Sequence, residues 1–155
     1  MILKYMNEEE AKNICNWEYF GEYCIYNIGG WKHAVDNNYS ITKAQIRKEQ
    51  FRVIYDDNQE MLGYFRFIVK PEKIILGLGM QPKKCGQGIG KNFIQFILNT
   101  EELKDKLIQL EVRDFNKRAI KCYQSVGFQI IDKQEKETLN GKEMFIIMQN
   151  RNIKN

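Results

Sequence analysis

The sequence predicts a single mixed α/β domain, a β-sheet with helices packed on it. Three observations predict it. Short runs rich in β-branched and aromatic residues alternate with segments of helical period along the 155 residues. A glycine-rich loop, 82–90, joins a strand to a helix. Only Pro71 and Pro82 interrupt the chain, and no linker, repeat or low-complexity stretch divides it, so one domain over 1–155 is expected.

The elements follow in order. Residues 2–6 read as a short strand. Asn7 is a natural helix N-cap, and Glu8, Glu9 and Glu10 occupy the first turn, where the helix dipole favours acids. Ala11, Ile14, Cys15 and Trp17 form the apolar stripe of that helix. The stretch 17–31 is aromatic and weakly periodic. A short helix is expected over 42–49. Residues 51–55 and 61–69 read as strands joined by a turn at Asp56, Asp57 and Asn58. A further strand covers 74–80. After the glycine loop, Ile89, Phe93, Ile94, Phe96, Ile97 and Leu98 give a wide apolar helix face. Residues 107–112 form a strand, Asn116 opens another helix, and Gly127 ends it as a C′ glycine. Strands at 128–131 and 144–148 complete the set. Asn140-Gly141 predicts a type I′ hairpin turn between them.

Composition narrows the function. The formal net charge is +4, too small for a polycation. It is unevenly placed: residues 1–77 carry 10 basic and 11 acidic side chains, whereas 78–155 carry 14 and 9. An anionic ligand is therefore sought in the second half. No apolar run approaches the roughly 18 residues of a membrane span, and no signal peptide is evident. Cys15, Cys24, Cys85 and Cys122 show no metal-site or disulfide spacing, and His33, a surface or capping residue, is the single histidine. A cytoplasmic protein with reduced thiols, no metal and no membrane contact is expected. The aromatics cluster in the first half and the bases in the second, so stacking and phosphate contacts are not interleaved, which argues against nucleic acid.

The decisive segment runs Leu78-Gly79-Met80-Gln81-Pro82-Lys83-Lys84-Cys85-Gly86-Gln87-Gly88-Ile89-Gly90-Lys91. Glycines let successive backbone N–H groups turn toward one point, and the following helix adds its free N–H groups and dipole. The result is a cradle for a phosphate. The nucleotide P-loop pattern fails, because Cys85 stands at its first glycine and Asn92 follows Lys91. The dinucleotide fingerprint fails at Lys91, where its third glycine belongs.

A second segment runs from Val112 to Phe128. Val112, Asn116, Ala119, Tyr123, Gly127 and Phe128 match V-x-x-x-N-x-x-A-x-x-x-Y-x-x-x-G-F, and Gly88 and Gly90 match the glycines of [QR]-x-x-G-x-[GA]. Together the two segments resemble the GCN5-related N-acetyltransferases, the GNAT superfamily, over roughly residues 60–150. The resemblance implies a mixed, mostly antiparallel central sheet of six to seven strands flanked by about four helices. It implies direct acetyl transfer from acetyl-CoA to an amine, on a small molecule or a peptide. Backbone groups of Leu78, Gly79 and Met80 would pair with the pantetheine arm, with Gly79 or Met80 polarising the thioester carbonyl. The N–H groups of Cys85, Gly86, Gln87, Gly88, Ile89, Gly90 and Lys91 would hold the pyrophosphate. Asn116 would contact the cofactor arm, Ala119 would be small beside it, and Tyr123 would protonate the leaving thiolate. Lys83, Lys84, Lys91, Lys117, Arg118 and Lys121 flank the expected anion.

Two departures stand out. Cys85 replaces the family's Gln or Arg, which removes that side chain's contact. The strand before the loop carries no acid, so no general base is assigned; Glu111, Glu22 and ordered water remain open. Glu72 lies at a turn, too far along the chain. The acceptor site is expected among Trp17, Tyr19, Phe20, Tyr23, Tyr26 and Trp31, with Glu18 and Glu22 nearby to attract a cation. The same aromatics also read as core. The missing acid supports the alternative of a non-catalytic acyl-CoA-binding domain on this fold; Tyr123 opposes it. Dimers are common on the fold, so a homodimer is among the expectations.

Overall fold

The computed structural model describes residues 1–151. Its helices are α1 (Glu8–Cys15), α2 (Trp31–Asp36), α3 (Ala44–Gln50), α4 (Gly90–Leu98) and α5 (Lys117–Ser125). Its strands are β1 (Ile2–Tyr5), β2 (Phe51–Tyr55), β3 (Met61–Val69), β4 (Ile74–Met80), β5 (Leu107–Arg113), β6 (Gln129–Thr138) and β7 (Gly141–Arg151). Short 3-10 turns lie at Gly21–Tyr26, Ser40–Thr42 and Pro82–Lys84.

The seven strands follow the order β1-β2-β3-β4-β5-β7-β6. The β1–β2, β2–β3, β5–β7 and β6–β7 pairs are antiparallel. The β4–β5 pair is parallel, with Ile74 opposite Ile108 and Ile75 opposite Gln109. A parallel pair needs a crossover, and α4 supplies it. The mixed, mostly antiparallel sheet that the resemblance implies is the sheet observed.

The described residues form two compact units: Met1–Arg66 with Leu78–Gln87, and Phe67–Gly77 with the described residues from Gly88 onward. In the first, α1 begins at a capping box. The Asn7 side chain accepts from Glu10 N at 2.8 Å, and the Glu10 carboxylate accepts from Asn7 N at 2.9 Å. Its inner face, Ala11, Ile14 and Cys15, is buried with Met6, Trp17, Ala34, Ile41, Phe51, Val53 and Met61. Two arginines are buried here and satisfied by backbone: Arg47 donates to Ile41 O at 2.9 Å and Arg52 to Phe51 O at 2.7 Å.

The second unit buries Phe93, Ile94, Ile97 and Leu98 from α4, alternate residues Ile108, Leu110 and Val112 of β5, and Phe128. Helix α5 packs against α4. Ile89 and Phe96, expected on the α4 face, are half-buried at its margin.

Three expectations need correction. Helix α2 was not expected: it starts at the last residue of the aromatic stretch, and its six residues are too few to show a period. The β6–β7 hairpin is roughly twice as long as its apolar runs, because β6 is almost wholly exposed and has no buried face to mark it. Its turn is not type I′. Thr138 pairs with Gly141, so the central residues are Leu139 and Asn140, and neither has positive φ. The left-handed residue is Gly141, at φ 94°, as in hairpins where a glycine follows the turn.

Candidate active site

In the first unit the end of β4 meets three aromatic and sulfur groups. Tyr19 donates its hydroxyl proton to the Met80 carbonyl at 2.5 Å. The Cys85 thiol points back to the same carbonyl (3.8 Å) and to Gln81 O (3.5 Å). Gly79 lies so close to Tyr64 that a Cβ would stand 2.5 Å from the ring's Cε1. The site therefore has a backbone strand end clamped by Tyr19, backed by Tyr64 and closed by Cys85. Burial, then the neighbouring Tyr64 and Cys85, push the Tyr19 phenol far above its ordinary range. Burial, then Cys15, push Tyr64 up to about 12. Both phenols are neutral at physiological pH.

The loop after β4 turns through Pro82–Lys84 and then through Gly86 (φ 75°) and Gly88 (φ 77°). Space around Gly88 is open, so its requirement is conformational. Gln87 braces the loop by donating to Lys83 O at 2.8 Å. Lys84, expected near an anion, is instead tied to Glu60 at 2.6 Å and Asp56 at 3.8 Å. The Glu60 hydrogen bond raises its pKa. Lys83 and Lys91 are exposed.

In the second unit Gly88 and Ile89 lead into α4, whose first residues are Gly90 and Lys91. No side chain caps this helix, and its first turn holds no acid. By contrast α1 and α5 are both capped by asparagine. The first-turn N–H groups of α4 therefore keep their capacity for an anion, with the dipole and Lys91 adding positive potential.

Helix α5 carries the remaining predicted residues. The Asn116 side chain accepts from Ala119 N at 3.2 Å and caps the helix. At the other end Phe128 N donates to Tyr123 O and Gly127 N to Gln124 O, each at 3.1 Å, with Gly127 at φ 105°. This is a Schellman motif, and its hydrophobic contact is the edge-on packing of Phe128 against Tyr123 at 5.7 Å. The N-x-x-A and Y-x-x-x-G-F spacings thus encode a helix with both ends specified. Tyr123 and Ala119 are half-buried.

The base candidates fare unequally. Glu111 is held in an ion pair by Lys136. Glu22 is exposed on the Gly21–Tyr26 turn. Among the expected acceptor aromatics, Trp17 belongs to the core and packs 5.9 Å from Tyr64, while Phe20 is 79% exposed. Tyr23, Tyr26 and Trp31 are half-buried, and His33 is exposed. Among the described residues no three His, Cys, Asp or Glu side chains gather as a metal site, and no helix is long and apolar enough to cross a membrane. Sequence reasoning missed the roles of Tyr19 and Tyr64 at β4; the one available signal was Gly79, a glycine inside a strand, which marks a close approach.

Comparison with known proteins bears on the family and the fold. A family model described as an acetyltransferase (GNAT) domain matches residues 47–130. No curated protein matches the sequence. Among solved structures, a chimera of the spermidine N-acetyltransferase SpeG from Vibrio cholerae and hSSAT aligns with a TM-score of 0.76 at 16% identity, over 97% of this chain and 95% of that one. The ribosomal-protein-S18-alanine N-acetyltransferase from Escherichia coli aligns with a TM-score of 0.68 at 17% identity, over 99% and 95%. These likenesses extend the shared fold to nearly the whole chain. With the glycine loop, the uncapped α4 and the two-ended α5 in place, the family match leads to one conclusion: the chain belongs to the GNAT acetyltransferases and is an acyltransferase of the N-acetyltransferase type.

Proposed function

We propose that the chain, as a single catalytic domain over 1–155, transfers an acetyl group from acetyl-CoA to an amine on a small molecule or peptide. The observation that carries this reading is the start of α4. An uncapped, acid-free helix N-terminus follows two left-handed glycines, and Lys91 stands in its first turn. That arrangement fits a pyrophosphate.

Acetyl-CoA supplies the activated acetyl group. The chain's own residues do the rest. The N–H groups of Cys85, Gly86, Gln87, Gly88, Ile89, Gly90 and Lys91 hold phosphate oxygens. Leu78, Gly79 and Met80 offer backbone groups to the pantetheine amides, and an N–H of Gly79 or Met80 polarises the thioester carbonyl. Tyr19, by fixing the Met80 carbonyl, sets the angle of that peptide. Asn116 and Ala119 line the cofactor arm. Tyr123 gives its proton to the departing sulfur. Because the Cys85 thiol faces the Met80 and Gln81 carbonyls, its replacement of Gln or Arg leaves the anion to backbone groups. The chain acts within the cytoplasm, and deprotonation of the amine falls to water, Glu22 or Glu111.

Acetyl-CoA should raise the melting temperature, and thiol release should appear with at least one member of an amine panel. Gly88→Val, which strains a left-handed position, should abolish the shift while the fold persists. Absence of any shift with wild type overturns the assignment.

A further inference from the structure

The loop that follows β4 is fastened within the first unit. Gln81 N donates to Leu62 O of β3 at 2.7 Å, and Lys84 N donates to Gln81 O at 2.9 Å. The chain then passes through Gly86 and Gly88, both left-handed. Glycine gives such a loop its turn, and also the widest choice of other conformations. The Lys84 side chain narrows that choice. It reaches back to the turn between β2 and β3, with its Nζ 2.6 Å from Glu60 Oε2 and 3.8 Å from Asp56 Oδ2.

That turn is built to receive it. Asp56 Oδ1 accepts from Asn58 N and from Glu60 N, each at 2.9 Å, while its Oδ2 faces the ammonium. Asp56 N donates to Glu60 O at 2.9 Å, and Gln59 stands at φ 64°. The two carboxylates are thus brought together across a closed turn. The Asp57 side chain beside them is 93% exposed, whereas those of Asp56 and Lys84 are 22% and 21% exposed. A pair withdrawn from water to this degree, with a second carboxylate beside it, holds more firmly than an isolated surface pair.

We propose that Asp56 and Glu60 are positioning residues for the coenzyme: through Lys84 they fix the loop in the shape that turns the N–H groups of Cys85, Gly86 and Gln87 toward the pyrophosphate. This rests on the assignment of acetyl-CoA to that loop. Charge carries the argument. Two carboxylates and one ammonium leave the cluster with a net −1, and Lys84 lies two residues before Gly86. A net negative cluster beside an anion cradle opposes the ligand by coulombic repulsion. Attraction is therefore not what the cluster offers. It holds the loop's shape in advance, which spares the cost of ordering it at binding.

The competing account has Lys84 leave its carboxylates and grip a phosphate itself. The two accounts differ in sign. Glu60→Gln removes an acid and releases the ammonium, so direct contact requires tighter binding, whereas the tether requires weaker binding. Calorimetric titration of the full chain with acetyl-CoA reads that sign. Glu60→Gln should weaken binding about threefold to tenfold. Asp56→Asn, whose Oδ1 can still accept both turn N–H groups, should weaken it in the same direction. Lys84→Met keeps the aliphatic stem and should match Glu60→Gln. The double variant should bind no more weakly than Lys84→Met alone, because the pair acts as one unit. In turnover with a responsive amine, the KM for acetyl-CoA should rise by the same factor while kcat holds, and melting temperatures close to wild type should show the fold intact. Wild type that binds no acetyl-CoA removes the coenzyme reading together with the proposal. Wild type that binds, with Glu60→Gln and Asp56→Asn equally tight or tighter, overturns the proposal alone. So do additive losses in the double variant.

Discussion

A Cβ on Gly79 would lie 2.5 Å from Cε1 of Tyr64 and 3.2 Å from its hydroxyl oxygen. The Tyr64 ring is fixed on its other sides, 5.9 Å from Trp17 and 6.4 Å from Phe51. Gly79→Ala must therefore displace the ring or the strand, an overpacking cost of about 1–3 kcal/mol. Thermal unfolding should show the loss, and adding Tyr64→Leu should recover part of it. Tyr19→Phe tests the neighbouring contact. It removes the hydrogen bond to Met80 O, a net loss of about 1 kcal/mol in stability. If the bond also sets the strand end for acyl transfer, kcat should fall several-fold while the KM for acetyl-CoA changes little. A Tyr19→Phe enzyme with unchanged kcat would reduce Tyr19 to packing. Gly79 inside a strand signals a close approach but not its partner, and the Tyr19 contact was not legible beforehand: Tyr19 and Met80 are 61 positions apart, and no local pattern encodes a bond of that separation.

Legibility at the level of elements follows how local the determinants are. Both ends of α5 were readable because a cap is a short-range event. Asn116 takes up an N–H of its own first turn, and Gly127 supplies the left-handed exit. The β6–β7 turn was misread for a complementary reason: the dipeptide Asn140-Gly141 was right for a tight turn, but the pairing of Thr138 with Gly141 shifted it by one residue. The Thr138 hydroxyl braces the shifted turn, accepting from Asn140 N and donating to Gly141 O, each at 3.1 Å. The helix α5 also separates scaffold from chemistry. Asn116→Ala should cost about 1 kcal/mol through the lost cap, whereas Asn116→Asp keeps a capping oxygen and should melt close to wild type. If Asn116 also meets the cofactor arm, Asn116→Asp should weaken acetyl-CoA binding, read by calorimetry, without that loss of stability. Gly127→Ala should cost about 1–2 kcal/mol. A Cβ at φ 105° is strained and would stand 3.3 Å from the Asn150 amide.

Charge is the property of the whole chain that the sequence reports most directly, and it now has distinct assignments. Lys84 balances Glu60 and Asp56, Lys136 balances Glu111, and Lys91 remains at the mouth of α4. The phenols add a pH dependence that composition could not show. Tyr64 is pushed to about 12 by burial, with Cys15 contributing. Tyr55 is pushed to about 12 by burial and by its hydrogen bond to Glu10. Tyr19 is displaced in the same direction. The ordinary value for all three is 10.0. Between that pH and about 12 the unfolded chain has released protons that the folded chain still holds. It binds fewer protons than the folded state, so stability falls as pH rises. The contribution is fully present below pH 10 and disappears as the folded phenols titrate. Lys84, raised by Glu60, acts in the same direction. Urea unfolding followed at successive pH values should therefore show little tyrosine-linked change up to about pH 10 and a decline above it. Tyr64→Phe should flatten that decline, since its ring remains and its proton does not. A decline of equal steepness in Tyr64→Phe and wild type would show that the buried phenols do not govern alkaline stability.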